Sequence, residues 1–141
     1  MRIKHFIITL ITLFSVNAYG QTQGIGGKWK LDWSKVVDGM SASEKTRFDA
    51  IPEPSRARIS SSMASRVFDF KQDGTLIVTW QSNNGSKLEN GRWNISDNTL
   101  TMNVNGLSKE YKVLRQSELL SLSMSAEGGA IMSTLVLIKQ D

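Results

Sequence analysis

The stretch RVFDFKQDGTLIVTWQ, residues 66–81, reads as two β-strands and the turn between them. Phe68 and Phe70 alternate with Val67, Asp69 and Lys71, and Leu76, Val78 and Trp80 alternate with Thr75, Thr79 and Gln81. A period of two places one set on a buried face and the other on a wet face. Gln72-Asp-Gly74 joins the runs, and Asp-Gly accepts the positive φ of a tight hairpin turn. The lesson of this stretch is local: short strands, each reversed by a few turn residues.

The same grammar extends in both directions. Downstream, Asn83-Asn-Gly85 turns the chain into a strand carrying Trp93 and Ile95, with Gly91 inside it as a bulge or bend. Ser96-Asp-Asn98 leads to Leu100, Met102 and Val104; Gly106 leads to Tyr111 and Val113; Arg115-Gln-Ser117 leads to Leu120, Leu122 and Met124. After Ala126-Glu-Gly-Gly129 a last strand, AIMSTLVLIK, is apolar on both faces and is expected to be covered outside as well. Upstream, Gly27–Asp32 alternates through Trp29 and Leu31. Between this first strand and the second, Ser41-Ala-Ser-Glu44 has the pattern of a capping box, with Glu44 reaching back. Pro52 stops the helix and Pro54 suits the first turn of another. Roughly Ser41 to Ser65 is therefore expected to be a short helical hairpin, with a thin apolar stripe of Phe48, Ile51, Ile59 and Met63. Trp33, at the exit of the first strand, is placed at a rim.

Eight strands in sequence, with one apolar face, must roll up or stack. An eight-stranded antiparallel up-and-down barrel with a short helical hairpin between the first and second strands is the expected all-β fold; an open sheet or small sandwich is the competing arrangement. Such an interior is either filled by side chains or able to hold one small molecule.

The N-terminus, MRIKHFIITLITLFSVNAYGQ, has a basic start (Arg2, Lys4), an apolar run from Phe6 to Val16 and small residues at Ala18 and Gly20. This is the layout of a signal peptide, residues 1–20, cleaved after Ala18 or Gly20. The apolar run is shorter than the roughly 20 residues of a membrane span. The expected product, residues 21–141, is one domain, exported to the periplasm or secreted. There is no cysteine, so neither a lipid anchor at the cleavage site nor a disulfide is expected. Removing Arg2 and Lys4 leaves 15 basic residues against 13 acidic ones, a net charge of +2, which gives no electrostatic case for nucleic acid. His5 is the only histidine and leaves with the leader. Without His or Cys the usual zinc ligands and nucleophile–base arrangements are missing, so no metal, no cofactor and no catalytic residues are expected.

Several constellations remain. Asp69-Phe-Lys-Gln-Asp73-Gly74 lacks the ligands of a calcium loop and reads as a turn. Asp69, Glu89, Arg92 and Glu110 read as charges on the wet face of a sheet, and Arg56, Arg58 and Arg66 as a solvated helix face. Phe68, Phe70, Trp80, Trp93 and Tyr111 fall inward, where they either fill a core or line an apolar pocket.

The order and spacing of Gly27-Lys28-Trp29, Phe70-Lys-Gln-Asp-Gly-Thr75, Gly91-Arg-Trp93, Asn98-Thr-Leu-Thr-Met102 and Leu135-Val-Leu-Ile-Lys139 resemble those of exported bacterial lipocalin-like domains, within the wider calycin group of lipocalins and fatty-acid-binding proteins. The resemblance implies a barrel with Trp29 packed structurally across its closed end, and a helical hairpin similar to the portal cover of fatty-acid-binding proteins. The Arg-x-Tyr pair with which those proteins hold a carboxylate is absent; Ser133-Thr134 stands in that region, and fatty-acid binding is not carried over. The leading functional expectation is non-catalytic binding of a small apolar or amphipathic molecule inside the barrel. In that reading Phe68, Phe70, Trp80, Trp93 and Tyr111 form the lining, and Phe48, Ile51, Ile59 and Met63 dock a lid. The alternative is a protein-interaction or structural module with a filled barrel, and an enzyme comes third.

Overall fold

A computed structural model of the chain describes residues 24–124 and 132–141. The expected leader, residues 1–20, the turn at Ala126–Gly129 and the first two residues of the expected last strand lie outside the described residues.

Eight strands close into one antiparallel barrel in sequence order: β1 (Gly27–Leu31), β2 (Val67–Phe70), β3 (Thr75–Ser82), β4 (Gly85–Ser96), β5 (Thr99–Val104), β6 (Leu107–Gln116), β7 (Leu119–Ser123) and β8 (Thr134–Lys139). β1 pairs with both β2 and β8, so closure removes the free edges that an open sheet would carry. The turns are as short as the sequence suggests. Asp97 and Asn98 both adopt positive φ, as do Asn105 and Gly106, the conformation of two-residue hairpin turns. At the Asp73 turn the carboxylate accepts from the Thr75 N–H at 2.9 Å, an Asx turn rather than a cation loop.

Gly91 is not a bulge. Register with β3 runs through it without a skipped residue, Leu76 lying opposite Gly91 and Ile77 opposite Asn90. What requires glycine is the neighbouring strand: a Cβ there would lie 2.3 Å from the Asn103 carbonyl oxygen and 2.9 Å from Val104 Cγ2. Gly91 is also the last β4 residue to pair with β5 at that end. Above it, Gly85–Asn90 pairs with β3 and departs from β5.

Three helices fill the β1–β2 connection: α1 (Trp33–Asp38), α2 (Ala42–Asp49) and α3 (Glu53–Ala64). The expected hairpin is α2 and α3. α1 adds a turn and a half to it, capped by Asp32, whose side chain accepts from the Lys35 N–H at 3.2 Å. Ser41 caps α2 as expected, accepting from the Glu44 N–H at 3.2 Å. Glu44 makes no hydrogen bond to the Ser41 backbone N–H. Its carboxylate is buried and accepts from the Ser133 N–H at 3.1 Å and the Ser133 hydroxyl at 2.8 Å, tying α2 to the segment just before β8. α1 lies against β8, which agrees with a last strand covered on its outer side.

The barrel is filled unevenly. The helices and the β3–β4 and β5–β6 turns sit at one end, here called the mouth. At the opposite end Ile25, Trp29, Phe70, Leu76, Leu100, Leu120 and Leu137 are almost completely buried. Trp29 donates from Nε1 to the Ile25 carbonyl at 2.8 Å, and Trp93 from Nε1 to the Lys71 carbonyl at 2.8 Å. Phe70 meets Trp93 edge-on, with centroids 5.4 Å apart. Large rings with satisfied N–H groups thus close this end.

Candidate ligand-binding site

The mouth half contains a cavity of about 590 Å³, within the usual span of small-molecule sites, about 300–1,000 Å³. Its apolar wall comes from alternate inward residues of several strands: Phe68 and Val78 on β2 and β3, Met102 and Val104 on β5, Leu107 at the start of β6, Met124 after β7 and Leu135 on β8. Met63 of α3 and Met132 complete it. Four methionines thus share one cavity, and unbranched thioether side chains repack around differently shaped guests at little cost. The polar members are Arg66, Glu89, Asn105, Lys109 and Tyr111.

Alternation explains why charges stand on an inner face. Glu89 lies opposite Val78 and Lys109 opposite Met102, so both follow the inward register of their partners. They are tolerated because this part of the interior is not closed: β4 has left β5 above Gly91, and β6 pairs with β7 only from Lys112 onward.

Arg66 is the most unusual group. It lies at the junction of α3 and β2, its N–H donating to the Met63 carbonyl at 3.1 Å and its carbonyl accepting from the Leu31 N–H at 2.9 Å. Its guanidinium lies 4.8 Å above the Trp80 ring, a cation–π contact. Nη2 donates to Ser62 Oγ at 3.0 Å, while Nε is buried without a partner. Burial lowers its pKa and the nearby Glu89 charge opposes that shift, yet the two do not form an ion pair. A guanidinium remains charged throughout the ordinary pH range. Tyr111 is buried among the lining residues, and burial raises its pKa, so its phenol is neutral at neutral pH.

The expected site residues divide by height in the barrel. Phe68 and Tyr111 line the cavity. Phe70 and Trp93 do not; they belong to the packed closed end, together with Trp29. Trp80 also lies outside the lining and acts on it through Arg66. Of the expected lid residues, Met63 reaches the cavity, Ile59 packs on the core beside it, and Phe48 meets Trp33 edge-on at 5.7 Å. Ile51 is half-buried at the α2–α3 turn. Sequence alone reads Arg66 and Glu89 as solvated charges; inward alternation is the available signal for Glu89, and the end of a helix abutting a strand is the only one for Arg66.

Among the described residues no group of three or more His, Cys, Asp or Glu side chains is placed to hold a metal ion. No described helix is long and apolar enough to cross a membrane.

No curated protein matches this sequence. Among solved structures, the chain is similar to a DUF4847 family protein from Bacteroides vulgatus ATCC 8482, with 19% identity and a TM-score of 0.45 over 82% of this chain and 95% of the other. The model of the lipocalin-like domain matches residues 25–119, from the buried Ile25 to the first residue of β7. The eight-stranded barrel and this match together place the chain in the lipocalin-like domain family.

Proposed function

We propose that this chain is an exported, non-catalytic protein that binds one small apolar or amphipathic molecule in the mouth of its barrel. The observation that carries this reading is the cavity of about 590 Å³, walled mainly by apolar side chains and bordered by α3. A filled barrel would have no need for Met63, Met102, Met124 and Met132 to surround a common space. The leader-like residues 1–20 support export to the periplasm or beyond the cell. The absence of His and Cys from residues 21–141 supports binding over catalysis.

The test is native mass spectrometry of the protein purified from its own host, combined with sequencing of its N-terminus. A retained small molecule and a start at Tyr19 or Gln21 are expected. A start at Met1 would overturn export. The second reading, an interaction module, draws on Leu88 and Leu114, which are 59% and 58% exposed on the outer face. It takes precedence if no molecule is retained and none binds from an apolar library.

A further inference from the structure

We propose that Met124 and Met132 form a reversible oxidation site: a hydroperoxide that enters the barrel mouth converts their thioethers to sulfoxides and so weakens the cavity's hold on an apolar guest. This rests on the binding reading above and adds a regulation of that same site.

Placement carries the inference. The sequence has six methionines and no cysteine, so thioethers are its only sulfur. Met63, Met102, Met124 and Met132 all line the one cavity. Met1 belongs to the expected leader, and Met40 lies between α1 and α2, outside the lining. The four lining residues are not equally reachable. Met63 and Met102 are buried, whereas Met124 and Met132 are half-buried. Met124 stands just past the end of β7 and Met132 just before the start of β8, both at the mouth. The Met124 N–H donates to the Ser133 carbonyl at 2.8 Å, which holds these two segments side by side. A small oxidant entering the mouth therefore meets Met124 and Met132 before the deeper pair.

The chemistry balances with a hydroperoxide as the only co-reactant. The sulfur lone pair attacks one peroxide oxygen, an S–O bond forms and the O–O bond breaks. The other oxygen leaves with the proton as water or an alcohol, so sulfur is oxidised and the peroxide reduced. The product is polar and chiral where methionine is apolar and adaptable. In this wall a sulfoxide oxygen draws in water or the donors of Lys109 and Tyr111. An apolar guest must then displace those partners or leave them, and either course costs binding. A guest already seated covers the sulfurs, so empty barrels are oxidised first. Sulfoxide reductases reverse the change, which sulfonation of a cysteine would not allow.

The experiment titrates the purified protein with Nile red, an uncharged apolar dye, before and after limited hydrogen peroxide treatment. Peptide mass spectrometry reads which methionines have gained oxygen. Met124 and Met132 are expected to oxidise ahead of Met63 and Met102. At that point Nile red is expected to bind about tenfold more weakly, the scale set by burying a polar group against an apolar one, and methionine sulfoxide reductases are expected to restore it. Saturation with Nile red beforehand should slow oxidation of Met124 and Met132 but not of Met40. The double variant Met124→Leu/Met132→Leu conserves volume and, judged against its own untreated affinity, should be indifferent to the same treatment. The two single variants should each show part of the loss, and they cover the case in which the double variant does not fold. Undiminished affinity with both residues oxidised would overturn the proposal. So would an equal loss in the double variant, or oxidation of Met40 with Met124 and Met132 untouched. Each of these outcomes leaves the cavity reading standing, whereas failure of the untreated protein to bind Nile red would overturn that reading and this one with it.

Discussion

Replacing Trp29 by alanine tests whether the closed end of the barrel holds the fold together. The side chain is completely buried, its Nε1 donates to the Ile25 carbonyl at 2.8 Å, and two cations lie against the ring: Lys139 Nζ at 4.9 Å and Arg115 Cζ at 5.5 Å from the centroid. Lys139 also donates from Nζ to the Gly26 carbonyl, so the indole organises both chain ends of the β1–β8 seam. Truncating a buried Trp to Ala costs about 3–5 kcal/mol. A domain of this size typically unfolds in urea with a slope of about 1–3 kcal/mol per molar. The urea midpoint should therefore fall by about 2 M. Trp29→Phe separates the two contributions. It retains most of the ring but leaves the Ile25 carbonyl without its donor, a loss of about 1–3 kcal/mol. The phenylalanine variant should lie between the parent and the alanine variant. Equal midpoints for parent and Trp29→Ala would refute the structural role. Equal midpoints for the two variants would refute the view that packing area, rather than the indole hydrogen bond, dominates.

Three further outcomes are expected. Gly91→Ala should destabilise the barrel by about 1–3 kcal/mol, the usual range for overpacking, because its Cβ would collide with the Asn103 carbonyl at 2.3 Å; an unchanged thermal midpoint would contradict the close approach. Burial pushes the Glu44 pKa up, but its hydrogen bonds from the Ser133 hydroxyl and backbone, the Ser41 hydroxyl and the Arg47 charge together hold it below the ordinary value. A carboxyl whose folded pKa is depressed stabilises the fold fully above its unfolded pKa and loses that contribution as pH falls through the lowered folded value. Acidification below the ordinary carboxylate range should therefore loosen α2, and Glu44→Gln should remove that part of the pH dependence in urea midpoints measured across it. Hydrogen exchange should be faster over α2 and α3 than over residues 75–81 and 99–105, and an added ligand should slow it at α3, since lightly anchored elements open first; uniform protection would make the helices plain scaffold.

The strands were legible because their information is local. Alternation around Phe68 and Phe70, or Leu100 and Met102, needs only neighbouring residues, and turn residues such as Asp97, Asn98 and Asn105 announce their own backbone geometry. The site was legible only in part, for a geometric reason. Inward alternation says that Phe68, Phe70, Trp93 and Tyr111 enter the barrel, but not at what height. Height depends on register accumulated across several strands, which puts Phe68 and Tyr111 in the cavity and Phe70 and Trp93 beneath it. Glu44 shows the same limit. Three residues after an N-cap it fits a capping box, yet it satisfies a hydroxyl and an amide 89 positions away. α1 follows β1 with only Asp32 between them, too brief an interruption to separate helix from strand exit.

The uneven filling of the barrel has a consequence for how this chain divides its work. At the closed end, rings and leucines are fully buried and their polar atoms paired, so that layer carries the stability. At the mouth, β4 and β6 run on past the pairing offered by β5 and β7, and inward positions hold Glu89 and Lys109, which a dry core would not accept. Filling the mouth with larger apolar residues would stabilise the barrel by ordinary burial. A sequence that instead leaves one guanidinium nitrogen without a partner and four methionines there forgoes that burial, while Trp29, Phe70 and Trp93 hold the frame from below.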